Sequence, residues 1–405
     1  MNISIRKSVL ISMMFAPVLF LFNSVIFSDF GPIFVLGICF TFCLSTNKIL
    51  LTKNFIPYFL LFSFLIFYLI VNVEPVQFDK LELVVLSLTS NIIFITSVCF
   101  LAFYIGCCYG YTSKHILGFS EAIALFYLLI FIGLVFAKSL FGIHRFSGWS
   151  GAIVLIVGPL AILALSKNPR RKFRKLFFAL IVFYLAYTRS RAALGGMTIF
   201  IITYYTYPYL VKNRFIYNAV FPLFLIIIIG LTISYFYYSI SPSFTQIETI
   251  GIKDFDNSML SGRIAIWDSL IRKLDENSLV WGIGSLQQSQ FFISTFSSKM
   301  RNASSHNAYL EFILRIGLVG LLMVLSILFQ VWKGMYDSRC SEYAKIGAAS
   351  LFAILFYCCF AELIFTKMLI GNIILWLFWG VIIGYLYRNR NSQNLALMKQ
   401  FRRSQ

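Results

Sequence analysis

The sequence predicts an all-α polytopic membrane protein with about 12 transmembrane helices, and three observations lead to this fold class. Of the 405 residues, 60% are apolar and only 12% are charged, against about a quarter charged in an average soluble domain. The apolar residues are grouped in runs close to the ~20 residues that a helix needs to cross a membrane. The net charge of +19 is concentrated in alternate connecting segments. A water-soluble globule, a disordered chain and a fibre are excluded.

The apolar runs divide the chain into nine predicted spans, a long loop and three further spans. Residues 1–240 hold helices 1–9, residues 241–307 the loop, residues 308–387 helices 10–12 and residues 388–405 a basic tail. The first run has span length and no Ala-x-Ala cleavage site, so we expect a retained anchor. The spans are predicted at residues 9–28, 31–46, 55–73, 83–106, 118–137, 150–166, 176–189, 192–211, 215–240, 308–331, 346–366 and 370–387.

The distribution of Lys and Arg predicts the orientation of these spans. Most of them, including the run at 167–175 and the tail, fall on the side that also holds both termini, and cytoplasmic segments are enriched in these residues. We therefore expect cytoplasmic termini and a long loop on the outer side. The segment 176–211 could instead be a single span, but this would place the basic tail outside. A hairpin with Arg189 and Arg191 at its outer turn is favoured. The positive excess thus faces the anionic inner leaflet of a membrane, and no nucleic-acid partner is expected.

The long loop contains an amphipathic helix. Apolar residues after Gly262 recur three and four positions apart, with charged residues on the other faces, which predicts a helix that lies along the membrane surface or caps the bundle. Pro242 and the stretch 281–284 mark turns on either side. The apolar positions are Ile264, Trp267, Leu270, Ile271 and Leu274.

The end of the loop places a histidine at the start of the next span. Ser304, Ser305 and Asn307 are all plausible N-cap residues, so His306 lies near the positive end of a helix dipole. This position disfavours the imidazolium and keeps the ring neutral, the form that a general base needs. Position alone equally supports a histidine that only caps or anchors the span. The Cys-Cys pairs among the eight cysteines lack His or acidic companions at zinc spacing, so we expect no structural metal.

Several motifs in a fixed order resemble the bacterial O-antigen ligase and O-antigen polymerase family of polytopic membrane glycosyltransferases. The resemblance is densest over residues 143–321, whereas the first 140 residues share only general hydropathy. The most specific motif is His306-Asn-x-Tyr-Leu-Glu311 followed by two glycines. The motifs are Arg145-Phe-Ser-Gly148, Ser190-Arg191-Ala192, Gly262-Arg263 with Trp267, Gly282-Ile-Gly284, and His306 to Glu311 with Gly317 and Gly320.

The resemblance implies a GT-C-like enzyme of the bacterial inner membrane that moves a glycan from undecaprenyl pyrophosphate to an acceptor hydroxyl. The transfer is expected on the periplasmic side, where the long loop lies, with inversion and without a metal or other cofactor. The acceptor is a lipid-linked glycan for a polymerase and lipid A-core for a ligase, and a chain-length regulator is a further expected partner. His306 would be the catalytic base. Arginine suits the pyrophosphate because its planar fork is always charged. Donor binding is assigned to Arg145, Arg189, Arg191, Arg263 and Arg301, and supporting roles to Asn307, Tyr309, Glu311 and Trp267.

Simpler roles compete with these assignments. Each arginine could be an interfacial anchor whose head reaches the membrane surface, and this reading is favoured for Arg189. Trp267 also fits an interface anchor better than a platform for a sugar. Glu311, about one turn after His306, could orient its ring.

Other functional classes remain compatible with this span pattern. Twelve spans suit a secondary transporter, although few carboxylates lie within spans and the halves do not visibly repeat. A lipid-linked oligosaccharide flippase would see the same pyrophosphate. A peptidoglycan-type polymerase would need an acidic catalytic residue, for which Asp254 and Asp256 are the candidates. Within the family, the absence of an evident basic lipid A-binding surface outside favours a polymerase over a ligase.

Overall fold

The computed structural model describes residues 56–71, 92–109, 155, 158–159, 191–240, 267, 270–272, 274–283, 307–361, 364 and 369–404. The predicted spans 9–28, 31–46, 118–137 and 176–189 lie outside these residues, as does most of the span 150–166 and of the long loop. Within the described ranges all regular secondary structure is helical, which confirms the all-α fold class there. The number of spans and their orientation stay predictions.

Each long helix overlaps a span predicted from hydropathy, and one short helix lies in the long loop. The helices are α1 (Ile56–Val71), α2 (Ile92–Tyr109), α3 (Arg191–Leu210), α4 (Arg214–Ile240), α5 (Glu276–Trp281), α6 (Ala308–Gly334), α7 (Glu342–Tyr357) and α8 (Leu369–Ser404).

Two helices among the described residues are long and apolar enough to cross a membrane, namely Arg214–Ser234 and Ala308–Gly334. The shorter helices Ile56–Leu69 and Ile95–Cys107 are also apolar. In α4, Leu223, Ile226 and Leu231 are exposed, as expected of side chains that face lipid. These apolar helices support an integral membrane protein.

The last two helices differ in their limits from the predicted spans 346–366 and 370–387. The α7 helix begins at Glu342, where the Ser341 hydroxyl accepts a hydrogen bond from the Ala344 N–H at 3.4 Å. It ends at Tyr357 and is followed by a turn over residues 358–360. Because these turn residues are Cys-Cys-Phe, hydropathy marks no end there. The α8 helix continues through the basic tail to Ser404.

Glycines allow α2 and α8 to pack backbone against backbone. A Cβ atom on Gly380 would lie 2.2 Å from the Phe103 carbonyl oxygen, and one on Gly384 would lie 2.3 Å from that of Cys107. On the facing helix, a Cβ on Gly106 would lie 2.3 Å from the Leu377 oxygen. Small residues four apart permit such close approach between membrane helices. This contact joins an early and a late part of the chain.

Tyrosine hydroxyls fasten the C-terminal end of α6 to the neighbouring helices. Tyr58 of α1 donates to the Gln330 carbonyl at 2.7 Å, and Tyr207 of α3 donates to that of Met335 at 2.7 Å. Tyr217 of α4 donates to the Trp332 carbonyl at 2.7 Å and stacks on its ring with the centroids 4.1 Å apart. This end, which the sequence predicts to be cytoplasmic, is therefore bound to three neighbouring helices by hydrogen bonds. The opposite end carries the residues predicted to be functional.

Candidate active site

The helix starts that carry two widely separated motifs meet at the C-terminal end of α7. The Ala308 N–H at the start of α6 donates to the Cys358 carbonyl at 2.8 Å. Near the start of α3, a Cβ on Gly195 would lie 2.5 Å from the Phe356 ring, and one on Gly196 would lie 3.2 Å from the Ala353 oxygen. The backbone at Arg191, the first residue of α3, thus lies at the same end of the bundle as the start of α6.

Asn307, one of the three predicted candidates, is the N-cap of α6. Its Oδ1 accepts a hydrogen bond from the Leu310 N–H at 3.1 Å, and its backbone is extended with φ −142° and ψ 113°. The residue is buried. His306 precedes this cap directly in sequence, so the helix dipole begins at the next residue, as the prediction of a neutral imidazole requires. The imidazole itself lies outside the described residues.

Tyr309 lies one residue inside α6 and points at the neighbouring helix. Its buried hydroxyl donates to the Leu355 carbonyl of α7 at 2.8 Å. Together with the Ala308 bond, this contact fixes the start of α6 on the end of α7. The Tyr309 hydroxyl therefore has a structural partner, and its predicted role toward substrate stays a prediction.

Glu311 forms a buried ion pair with Arg315, one helical turn further along α6. The Arg315 Nε and Nη2 atoms donate to Glu311 Oε1 at 2.9 and 2.6 Å, and the two side chains are 3% and 1% exposed, respectively. No role of Arg315 was predicted from the sequence. The opposite charges four residues apart in an apolar run were the signal that could have found it. The pair neutralises both charges inside the bundle.

The α6 helix breaks at Gly317, and the long loop docks into this break. Gly317 has φ 65° and ψ −177° inside the helix, a conformation that favours glycine. The Ile283 N–H donates to the Leu314 carbonyl, three residues before the break, at 2.7 Å. A Cβ on Gly317 would lie 2.1 Å from the Val280 oxygen, and one on Gly282, which has φ 87°, would lie 2.6 Å from the Arg315 oxygen.

Tyr68 at the end of α1 closes the same junction. Its hydroxyl lies 2.9 Å from the Ile316 oxygen and 3.1 Å from the Trp281 oxygen, and can donate to either carbonyl. The Tyr68 and Trp281 rings stack with centroids 6.4 Å apart. The loop is therefore held by backbone contacts next to the turn of α6 that carries the Glu311–Arg315 pair. Hydropathy cannot show such a junction, although the Gly282-Ile-Gly284 motif marked its position.

The described part of the long loop is folded. Asp275 caps α5 by accepting from the Ser278 N–H at 3.0 Å. Hydrogen bonds from the side chain and the backbone of Ser278 lower the pKa of Asp275. In the predicted amphipathic segment, residues 267 and 270–272 are helical, Trp267 and Leu270 are buried, and Ile271 is exposed. Trp267 is only 3% exposed, so its ring packs inside the protein.

Several predicted site residues lie outside the described part of the chain. These are the catalytic candidate His306 and the arginines Arg145, Arg189, Arg263 and Arg301, and of Arg191 the structure describes the backbone. Their roles stay predictions. Among the described residues, no group of three or more His, Cys, Asp or Glu side chains could hold a metal ion.

Part of the chain is similar to a known protein family. No curated protein matches it. The family model described as O-antigen ligase matches residues 176–325, which include α3, α4, α5 and most of α6. This range contains the Ser190-Arg191-Ala192 and His306-Asn307 motifs and both glycines of the loop junction. The match confirms the resemblance seen in the motifs: residues 176–325 are similar to the O-antigen ligase family.

Proposed function

We propose that this protein is a membrane glycosyltransferase of O-antigen or related surface-polysaccharide assembly, which moves a glycan from undecaprenyl pyrophosphate to an acceptor sugar hydroxyl at the periplasmic face. The match of residues 176–325 to the O-antigen ligase family supports an O-antigen ligase-type function in polysaccharide assembly. The observation that carries the finer proposal is the meeting of the α3 and α6 starts at one end of α7. It brings the backbones of two motifs together although they are far apart in sequence.

The proposed chemistry needs a base and a cluster of fixed positive charge. His306 removes the proton of the acceptor hydroxyl while the bond to the pyrophosphate breaks, and inversion at the anomeric carbon follows from direct attack. Arg191 and Arg263 hold the pyrophosphate, with Arg145, Arg301 and Arg189 around them. Preorganised cations aimed at a leaving group stabilise the charge that develops there. The imidazolium formed in the step is returned to the neutral ring by solvent.

The elements around α6 keep this site in shape. The Asn307 cap and the Tyr309 bond fix the start of α6 on α7, and the Gly282–Gly317 junction fixes the loop on the next turns. Reacting groups held this way react as if at high local concentration. Because the loop also carries Arg263, its anchoring on α6 supports a shared site for the loop and the His306 motif.

Two substitutions test the roles of His306 and Arg191. We expect His306→Ala to lower glycan transfer by about a hundredfold or more, since a general base contributes about 10² to 10⁴. Arg191→Ala should lower glycan transfer about a hundredfold, the usual effect of losing one electrostatic donor in an active site. Transfer is measured as surface glycan in a deletion strain, with membrane abundance checked for each variant. The matched control is Arg272→Ala, an exposed arginine of the same loop. Activity near wild type in either test variant would defeat that residue's role.

The deletion strain also separates polymerase from ligase. The proposal favours polymerase, and then core bearing a single repeat unit should accumulate. Bare core together with lipid-linked polymer would instead identify a ligase. Metal independence is tested by exhaustive chelation of membranes, after which full activity is expected; a loss that returns with added metal would contradict it.

A further inference from the structure

The C-terminal end of the α6 bundle carries a concentration of cations, and its described acids are already paired. The Asp337 carboxylate accepts from Arg339 Nε at 3.1 Å, and Glu342 lies 3.5 Å from Lys345 Nζ. The turns at this end are joined, because the Tyr336 hydroxyl donates to the Val211 carbonyl at 3.2 Å. The cations around them are Lys212, Arg214, Lys333, Arg388 and Arg390.

Arg390 differs from the others because it continues a buried face of α8. Ile383, Leu386 and Arg390 follow each other three and four residues apart, so they share one side of the helix. Ile383 packs at the end of α6, where a Cβ on Gly334 would lie 3.0 Å from its Cδ1 atom, and Leu386 is fully buried. The next position on this face therefore holds a guanidinium that is half-buried.

One nitrogen of this guanidinium has no partner within the described part of the chain. Arg390 Nη2 is buried and makes no hydrogen bond. Its charge interacts electrostatically with Tyr58, Tyr207 and Tyr217, whose hydroxyls donate to carbonyls of residues 330–335. A buried cationic donor without an acceptor is costly, so an anion at this point would stabilise the protein.

We propose that Arg390 is the centre of a binding site for the phosphate of an anionic phospholipid from the cytoplasmic leaflet. The helix changes from apolar to basic residues at Tyr387 and Arg388, which is where headgroup phosphates lie beside a span. The planar fork of arginine binds two phosphate oxygens together, and neighbouring cations add attraction for anionic lipid. The inference uses the predicted orientation and does not depend on glycosyl transfer.

The test measures lipid retention by the purified full-length protein. Delipidated protein in detergent is mixed with phosphatidylglycerol, and bound lipid is counted by native mass spectrometry. We expect Arg390→Gln to bind it about fivefold more weakly, as for one lost cation at a membrane surface. The matched control is Lys333→Gln, which removes one exposed charge at the same end and should weaken binding less than Arg390→Gln does, because an exposed, hydrated cation adds only screened attraction. Equal retention in the two variants overturns the proposal.

A second measurement keeps the test decisive if Arg390→Gln fails to accumulate. Phosphatidylglycerol should raise the melting temperature of wild-type protein, whereas phosphatidylcholine with the same acyl chains should not. Equal shifts from the two lipids overturn the proposal. Millimolar inorganic phosphate is the third arm. If it alone reproduces the shift, the site takes free phosphate and the lipid source is wrong.

Discussion

At the scale of single residues, the Glu311–Arg315 pair is the feature whose removal has the clearest expected cost. Both side chains are buried and both guanidinium bonds end on one carboxylate oxygen. Removing one member of a buried pair leaves an uncompensated charge and costs about 3 kcal/mol or more. Arg315→Gln and Glu311→Gln should therefore lower the melting temperature and membrane abundance sharply.

The control for this pair is the more exposed pair of Glu342 and Lys345, which lie 3.5 Å apart. Lys345→Gln should change stability by at most about 1 kcal/mol, as exposed pairs do. Exchanging the charges, with Glu311→Arg and Arg315→Glu together, should recover part of the loss. If Arg315→Gln melted like Lys345→Gln, the pair would not hold the two charges in the bundle.

Asp337, in the turn between α6 and α7, should make the stability of the protein depend on pH. Burial raises its pKa, but hydrogen bonds from Ser341 and Arg339 outweigh this and leave the pKa below the ordinary value of 3.8. A lowered folded-state pKa contributes stability that is present above the unfolded value and lost as pH falls through the folded one. Wild type should thus melt higher than Asp337→Asn at neutral pH.

The measurement is the melting temperature of both proteins in detergent from pH 7 downward. The difference between them should shrink below about pH 4, the unfolded value of an aspartate. A difference that stays constant over this range would show that the Asp337 carboxylate contributes nothing through its charge.

At the scale of elements, a glycine substitution at the loop junction should destabilise the protein far more than one on an exposed helix face. A Cβ on Gly317 would lie 2.1 Å from the Val280 oxygen, and the residue has positive φ, whereas Gly230 in α4 has nothing within 4 Å. Gly317→Ala should therefore lower stability by at least about 2 kcal/mol through strain and overpacking. Gly230→Ala should be neutral or stabilising by up to about 1 kcal/mol.

Melting temperature and glycan transfer are measured for both variants. Because the junction holds the long loop on α6, Gly317→Ala should also lower transfer per folded molecule, while Gly230→Ala leaves it unchanged. Wild-type transfer and stability in Gly317→Ala would mean that the loop reaches its position without this close contact.

At the scale of the whole molecule, the predicted orientation can be tested by reporter fusions. Fluorescent protein fused after residue 405 should fluoresce, and a phosphatase domain inserted within 241–307 should be active, since the first folds in the cytoplasm and the second outside. A phosphatase placed in the basic run 167–175 is the control and should be inactive. The reverse pattern would place the long loop in the cytoplasm and defeat the proposed periplasmic site.

The helical class and the positions of the helix starts near the motifs could be predicted from the sequence, because both depend on local composition. Apolar runs of span length mark α4 and α6, and the polar residues before α6 included its true N-cap, Asn307. The sequence placed the end of α7 too late because the turn residues after Tyr357 are as apolar as the helix. Helix ends inside apolar segments follow from packing, which hydropathy does not contain.

The sequence alone therefore determined the family resemblance and the charge asymmetry. It also determined that residues 304–311 hold both a helix cap and the most specific motif. Only the tertiary structure decided that Glu311 pairs with Arg315, that Gly282 and Gly317 join the loop to a broken helix, and that Arg390 lies at the packed end of α6. The physical reason is that these contacts join distant segments or depend on which face of a helix is covered. A charge in an apolar run is visible in the sequence, but its partner is chosen by the fold.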